Sequence, residues 1–238
     1  MLTQDEAKML AGAGVIDAFV RDGMTLGLGS GSTSHFFVRQ LGQRIRDGLK
    51  VISTTTSKST TAVAREVGID VVDVNDIGEI DLTIDGPDEI DNAFRMIKGG
   101  GACLLWEKIV AHASRRMVTV CDESKFVETL GRFPLPLEVV QFGWQQTQRM
   151  IAQTLEAHGI ANVPIVRRAR DGAVVITDSG HFILDCHCSS INTPEQLEID
   201  LNLIPGVVEN GLFTRESCAA VVGCFDGTIT VRHRAPSA

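Results

Sequence analysis

The sequence has no tyrosine and only two tryptophans, and aromatic residues make up 5% in all, so aromatic surface is modest. No apolar run approaches the length needed to cross a bilayer, which excludes a membrane-spanning helix. Positive charge is in deficit: 22 Lys and Arg against 30 Asp and Glu leave a formal charge of −8. That balance argues against bulk attraction to nucleic acid or to an acidic membrane, while a local basic pocket can still hold a phosphate. No basic helix-turn-helix segment precedes Met24. No charged leader with an apolar stretch opens the chain, because Thr3-Gln4-Asp5-Glu6 already reads as a capping box; the cytoplasm is the expected location. Internal repeats, heptads and low-complexity tracts are absent as well.

Metal sites of the usual kind are also missing. The six cysteines lie mostly in apolar contexts, where cysteine acts as a small hydrophobe. In Cys186-His187-Cys188 a strand would put both thiols on one face and His187 on the other. No second cysteine pair completes four ligands, so neither a metal nor a cofactor is expected.

What is present is an ordinary soluble mix, 44% apolar and 22% charged, in 238 residues, enough for one large domain carrying a smaller one. Thr3 should cap a helix to about residue 20, with Lys8 pointing away from its main apolar stripe as a solvated side chain. A strand over 24–28 runs into Gly27-Leu28-Gly29-Ser30-Gly31-Ser32-Thr33, and a helix is predicted from about 34 to 46. Strand, glycine-hydroxyl loop and helix form an anion cradle, since unpaired amides at a helix start point outward. A dinucleotide fingerprint fits less well: Phe36 falls near the place of its third glycine, and the second strand ends in Ser53-Thr54-Thr55-Thr56 rather than an acid. A phosphate monoester is the better ligand.

Further strands are predicted over 50–52, 69–74, 80–84 and 117–121, with helices over 57–67 and 102–113. This alternation predicts an α/β, Rossmann-like domain with a mostly parallel sheet, its ligands at the C-terminal strand edge. At 132–137, Pro134 and Pro136 should forbid a central strand or a helix interior, which places a domain boundary there. Beyond it come a helix over 145–157, a strand over 163–166, a hairpin of 173–177 with 182–186, and a helix over 194–203 opened by Pro194. Residues 132–205 are thus expected to be an inserted, smaller α+β domain. Residues 1–131 and 206–238 form the α/β domain, with the tail strands returning to its sheet.

The most informative stretch is 85–108. Asp85, Asp88, Glu89 and Asp91 fall within seven positions, followed by Lys98, Gly99-Gly100-Gly101 and Glu107-Lys108. Three successive glycines lose much entropy on folding and fit a place where backbone amides approach something small. Glu107 follows the apolar Leu104-Leu105-Trp106, and apolar surroundings make a carboxylate a readier proton acceptor. The alternative for Glu107 is a surface ion pair with Lys108. Lys98 can offset charge on a reacting oxygen, and Asp85 and Asp88 can exchange protons with hydroxyls. Aldose–ketose isomerisation, deamination of an aminosugar phosphate and plain effector binding would all use these parts.

Seven marks in order resemble the type A ribose-5-phosphate isomerase family: G-S-G-S-T at 29–33, D-G-P-D-E at 85–89, K-G-G-G at 98–101, E-K at 107–108, D-E-S-K at 122–125, F-P-L-P-L-E-V at 133–139 and I-P-G-V-V-E-N-G-L-F at 204–213. The resemblance implies a metal-independent isomerase of the pentose phosphate pathway, acting on ribose 5-phosphate and ribulose 5-phosphate through a cis-enediolate. It implies Glu107 as the base, Asp85 and Asp88 as the acids and Lys98 as the support for the charged oxygen. Gly31, Ser32, Thr33, Gly99, Gly100 and Lys125 would bind substrate. So would Lys8, against its solvated reading above. It also implies a homodimer or a dimer of dimers, with the inserted domain contributing to subunit contacts. Pro87, where the family usually has alanine, and Leu105-Trp106 before the glutamate depart from its pattern.

Overall fold

The structure, a computed structural model, describes residues 1–235. The chain divides into two compact units, Met1–Pro87 with Trp106–Lys125 and Arg215 onward, and Asp88–Leu105 with Phe126–Thr214. The second unit is therefore wider than the 132–205 read from sequence, and it takes in the segment that carries Asp88 and Lys98.

The first unit is built on a six-stranded sheet. Its order is Ile229–His233, Ser217–Gly223, Met117–Asp122, Leu82–Asp85, Thr25–Leu28 and Ile52–Thr55, parallel throughout except for the Ile229–His233 edge. Alternation of side chains sets its two faces. Leu26, Leu28, Ile84, Val118 and Val120 pack against Ala11 and Val15 of the Gln4–Phe19 helix and Phe37, Val38 and Leu41 of the Gly31–Arg46 helix. Gly27 and Thr83 look the other way, towards Val110 of the Leu104–His112 helix. Residues 69–74 form only an isolated bridge, Val71 to Ser53, followed by a short 3₁₀ turn at Val74–Asp76. Apolar composition made that segment look like a strand, but it contributes little to the sheet edge. Among the described residues, no helix is long and apolar enough to cross a membrane.

The second unit holds two four-stranded sheets. In one, the order is Val207–Asn210, Leu135–Val139, Phe182–Cys186 and Ile165–Arg167, all antiparallel. Ile151 and Leu155 of the Trp144–Ala157 helix and Leu197 and Leu201 of the Pro194–Asn202 helix share a core with Leu135, Leu137, Val139 and Leu184. Cys186 and Cys188 are buried there and His187 is exposed, as strand alternation requires. The other sheet runs Leu212–Phe213, Met96–Ile97, Glu89–Asp91 and Phe126–Val127. Two expectations fail here. The strands at 207–210 and 212–213 join these sheets, and only those at 217–223 and 229–233 return to the first. Pro136 also sits inside a central strand. Its carbonyl accepts from Gly211 N at 2.8 Å. An extended residue points its N–H and C=O to the same side, so the missing N–H faces Gly211, past the end of the neighbouring strand at Asn210.

Candidate active site

In the first unit the glycine loop closes on Asp85. The Thr25–Leu28 strand ends, Ser30 takes an extended N-cap conformation, and the helix starts at Gly31 rather than at 34. Gly31, Ser32 and Thr33 therefore form its first turn, where amide N–H groups have no partner within the helix. Asp85 is fully buried at the end of its strand, and its Oδ1 accepts from Ser30 N at 3.0 Å, Gly86 N at 2.8 Å and Ser34 Oγ at 3.1 Å. A Cβ on Gly29 would lie 2.5 Å from Asp85 Cβ and closer still to the carboxyl group, so only glycine fits. The hydroxyl run forms a second tie. Ser30 Oγ lies 2.7 Å from Thr56 Oγ1 and donates to Ser57 Oγ at 2.8 Å, while Thr60 Oγ1 donates to Gly29 O at 3.0 Å. His35, beside Thr60, is pushed below its ordinary pKa by burial first and by Arg39 second, against the pull of Asp85, and so is neutral at pH 7.

Lys8 is buried at 8% exposure, with Nζ donating to Asp5 Oδ1 at 3.1 Å. The first helix buries Ala7, Lys8, Ala11, Gly12, Val15 and Ile16, a wider arc than one apolar stripe, and the solvated reading of Lys8 fails for that reason. Glu107 stands in the first turn of the Leu104–His112 helix at 5% exposure, against its alternative as a surface ion pair. Lys125 ends a 3₁₀ turn that Asp122 caps by accepting from Ser124 N at 3.1 Å. Trp106 lines a cavity of about 500 Å³ with Thr54, Thr55, Arg65 and Val110; none of the predicted site residues lines it.

In the second unit, Asp88 and the triple glycine meet. Gly100 N donates to Asp88 Oδ2 at 2.7 Å, and a Cβ on Gly100 would lie 2.6 Å from Asp88 Oδ1. Gly99 takes φ +107°, and its carbonyl accepts from Ala102 N at 2.9 Å to close the turn. Lys98 is 1% exposed, and its Nζ lies 5.5 Å from the centre of the Phe213 ring, where the π face stabilises the ammonium. The other two carboxylates of the cluster have local partners. Glu89 accepts from Gly131 N at 2.8 Å and Phe133 N at 2.6 Å, and Asp91 holds its own turn through Ala93 N and the Arg95 side chain. Sequence reasoning missed Arg168, whose Nη1 donates to Gly99 O at 2.7 Å and Gly100 O at 3.1 Å while Asp185 grips the rest of the guanidinium. No sequence signal separates it from Arg167 and Arg170; the pairing of the Ile165–Arg167 and Phe182–Cys186 strands supplies the Asp185 partner.

Residues 52–227 match the family described as ribose 5-phosphate isomerase A (phosphoriboisomerase A). The match begins after the glycine loop, but longer similarities span it. The chain is 63% identical over 232 residues to ribose-5-phosphate isomerase A 2 of Yersinia pseudotuberculosis, across 97% of this chain and 98% of that protein. The solved ribose 5-phosphate isomerase from Plasmodium falciparum superposes with a TM-score of 0.91 at 31% identity, covering 96% of this chain and 98% of the other. A solved D-ribose-5-phosphate isomerase in complex with phospho-erythronic acid gives 0.89 at 32% identity, over 98% and 100% of the two chains. Sequence similarity along nearly the whole length, with the same fold, shows that the chain belongs to the ribose 5-phosphate isomerase A family.

Proposed function

We propose that this chain interconverts D-ribose 5-phosphate and D-ribulose 5-phosphate in the cytoplasm, by proton transfer through a cis-enediolate and without a metal ion or redox cofactor. The observation that carries the reading is Glu107: a carboxylate at 5% exposure, six residues after the Lys98–Gly101 turn, in a chain of this family. Glu107 takes the proton from C2 of the open-chain aldose, and the electron pair moves to form the C1–C2 double bond, leaving the charge on O1. Lys98 offsets that charge, which a preorganised cation in a water-poor site does more effectively than solvent. A hydroxyl proton passes from O2 to O1 with the help of Asp85 and Asp88, and Glu107, whose carboxyl proton exchanges in part with solvent, delivers a proton to C1 as the C2 carbonyl forms. General-base catalysis of this kind contributes about 10²–10⁴ in rate.

The phosphate is read by the first-turn amides of Gly31, Ser32 and Thr33, where the helix dipole favours an anion, and by the ammonium groups of Lys8 and Lys125. Gly99 and Gly100 bring backbone against the sugar. The protein acts as a homodimer or a dimer of dimers, and the second unit contributes to the contact: Phe142 is 93% exposed there and Leu203 75%. Equilibrium sedimentation of the intact chain tests the assembly.

The activity is tested with metal-stripped protein and ribose 5-phosphate in deuterated water, following ribulose 5-phosphate and deuterium at C2 of the recovered aldose. Product with deuterium is the expected result. Folded protein that binds the sugar phosphate and gives neither product nor exchange rejects the isomerase in favour of a sugar-phosphate sensor.

A further inference from the structure

We infer that Arg168, held by Asp185, is a positioning residue that fixes the Asp88 carboxylate through the Gly99–Gly100 peptide unit. The inference deepens the isomerase reading and rests on it in one respect, that Asp88 handles a substrate proton. The four polar groups involved all belong to the second unit. The side chains of Arg168 and Asp185 are 11% and 17% exposed. Arg168 Nε donates to Asp185 Oδ2 at 2.8 Å and Nη2 donates to Oδ1, a two-pronged pair that sets the plane of the guanidinium. Nη1 is then aimed at backbone, and it reaches the carbonyls of Gly99 at 2.7 Å and Gly100 at 3.1 Å.

A trans peptide unit carries its C=O and its N–H in opposite directions. The carbonyl of Gly99 and the N–H of Gly100 belong to one such unit. Arg168 holds its oxygen, and its N–H donates to Asp88 Oδ2 at 2.7 Å. The unit is clamped between a guanidinium and a carboxylate, and polarisation from each end strengthens the bond at the other.

The clamp answers a weakness of the glycine run. The 99–100 unit turns about ψ of Gly99 and φ of Gly100, and with no Cβ on either residue neither rotation meets much steric resistance. Were the 99–100 unit to turn over, a carbonyl oxygen would replace the N–H in front of Asp88 and repel its carboxylate. Arg168 opposes that rotation, because turning the unit would strip its guanidinium of the Gly99 oxygen. A lysine keeps the charge but has no planar fork to engage Asp185 and two carbonyls together.

The test is a double-mutant cycle with Arg168→Lys and Asp88→Asn, measuring kcat and KM for ribose 5-phosphate in the full chain. Misplacement of a catalytic group costs up to about 10²-fold, so Arg168→Lys should lower kcat about 10- to 100-fold with KM within about threefold. In the Asp88→Asn background the same change should cost less than about threefold, because the group being positioned is gone. Equal losses in both backgrounds, or a loss confined to KM, overturn the inference. A second readout needs no turnover: the Gly100 amide proton in nitrogen-15-labelled protein should move upfield in Arg168→Lys and in the milder Asp185→Asn, as it does in Asp88→Asn. A Gly100 resonance unmoved by either clamp variant overturns the inference as well. An inactive wild-type chain in which Gly100 responds as expected would reject the isomerase reading and support the clamp.

Discussion

Replacing Gly29 by alanine tests the closure of the glycine loop on Asp85. The added Cβ would lie 2.5 Å from Asp85 Cβ and nearer to its carboxyl carbon, well inside van der Waals contact. Asp85 is fully buried and has nowhere to swing without leaving Ser30 N and Ser34 Oγ, at 3.0 and 3.1 Å. A hydrogen bond to a charged group contributes roughly 1.5–3 kcal/mol, so losing two at the weaker end costs about 3 kcal/mol. At about 2–4 °C per kcal/mol for a chain of this size, the Tm should fall by about 6–12 °C. Gly31→Ala is the control. Gly31 stands at φ +87° with nothing within 4 Å of the added Cβ, so it meets backbone strain alone. That strain is about 1–2 kcal/mol, or about 2–8 °C by the same conversion. Turnover of Gly29→Ala should fall about 10²-fold, since Asp85 is displaced. Thermal melts and steady-state kinetics on both variants decide the matter. A Gly29→Ala protein with wild-type Tm and kcat, or one that melts no lower than Gly31→Ala, would refute the steric argument.

Three other outcomes are expected. Glu107→Gln should lose about 10²–10⁴ in kcat while still binding ribose 5-phosphate, as calorimetry can show; undiminished turnover would remove Glu107 as the base. Iodoacetamide at pH 8 should spare Cys121, Cys186 and Cys188 in the folded chain. Burial raises all three thiols, Cys188 to about 12, while Cys103 and Cys224 are only half-buried and should be alkylated first by peptide mass mapping. Asp200 is held below the usual carboxylate range mainly by its hydrogen bond with His158 and then by Gln196. A depressed carboxyl stabilises the fold above its unfolded value, 3.8, and that contribution is lost as pH falls through the lower folded value. Asp200→Asn should therefore flatten the pH dependence of stability between 3.8 and the lower folded value, and an unchanged acid-unfolding curve would count against the pairing.

Much of the local structure around the candidate site was legible because its signals are local. A strand, a glycine-hydroxyl loop and a helix are written in consecutive residues, and the backbone geometry of Gly29 to Thr33 follows from them, apart from a helix start three residues early. The Thr3–Glu6 capping box is local in the same way, and it forms. Asp85, Asp88 and Glu107 could be singled out as candidates because carboxylates beside a lysine and a triple glycine have few purely structural uses. Glu89 and Asp91 look identical to them in sequence. Only their partners, the Gly131 and Phe133 amides and Arg95, assign them to loop anchoring.

The sequence by itself determined most of the alternation of strands and helices and the run of strand, glycine-hydroxyl loop and helix at 25–46, since each depends on side chains and backbone within a few positions. Only the tertiary structure decided the rest. Lys8 is buried because the first helix is covered over a wide arc, which a single stripe of apolar residues does not reveal. Pro136 is tolerated in a central strand because the neighbouring strand stops at Asn210, about 74 residues away in sequence. Arg168 becomes the holder of the glycine turn because strand pairing places Asp185 beside it. Strand pairing, burial and long-range hydrogen bonds depend on which distant segments meet, and no stretch of sequence carries that information alone.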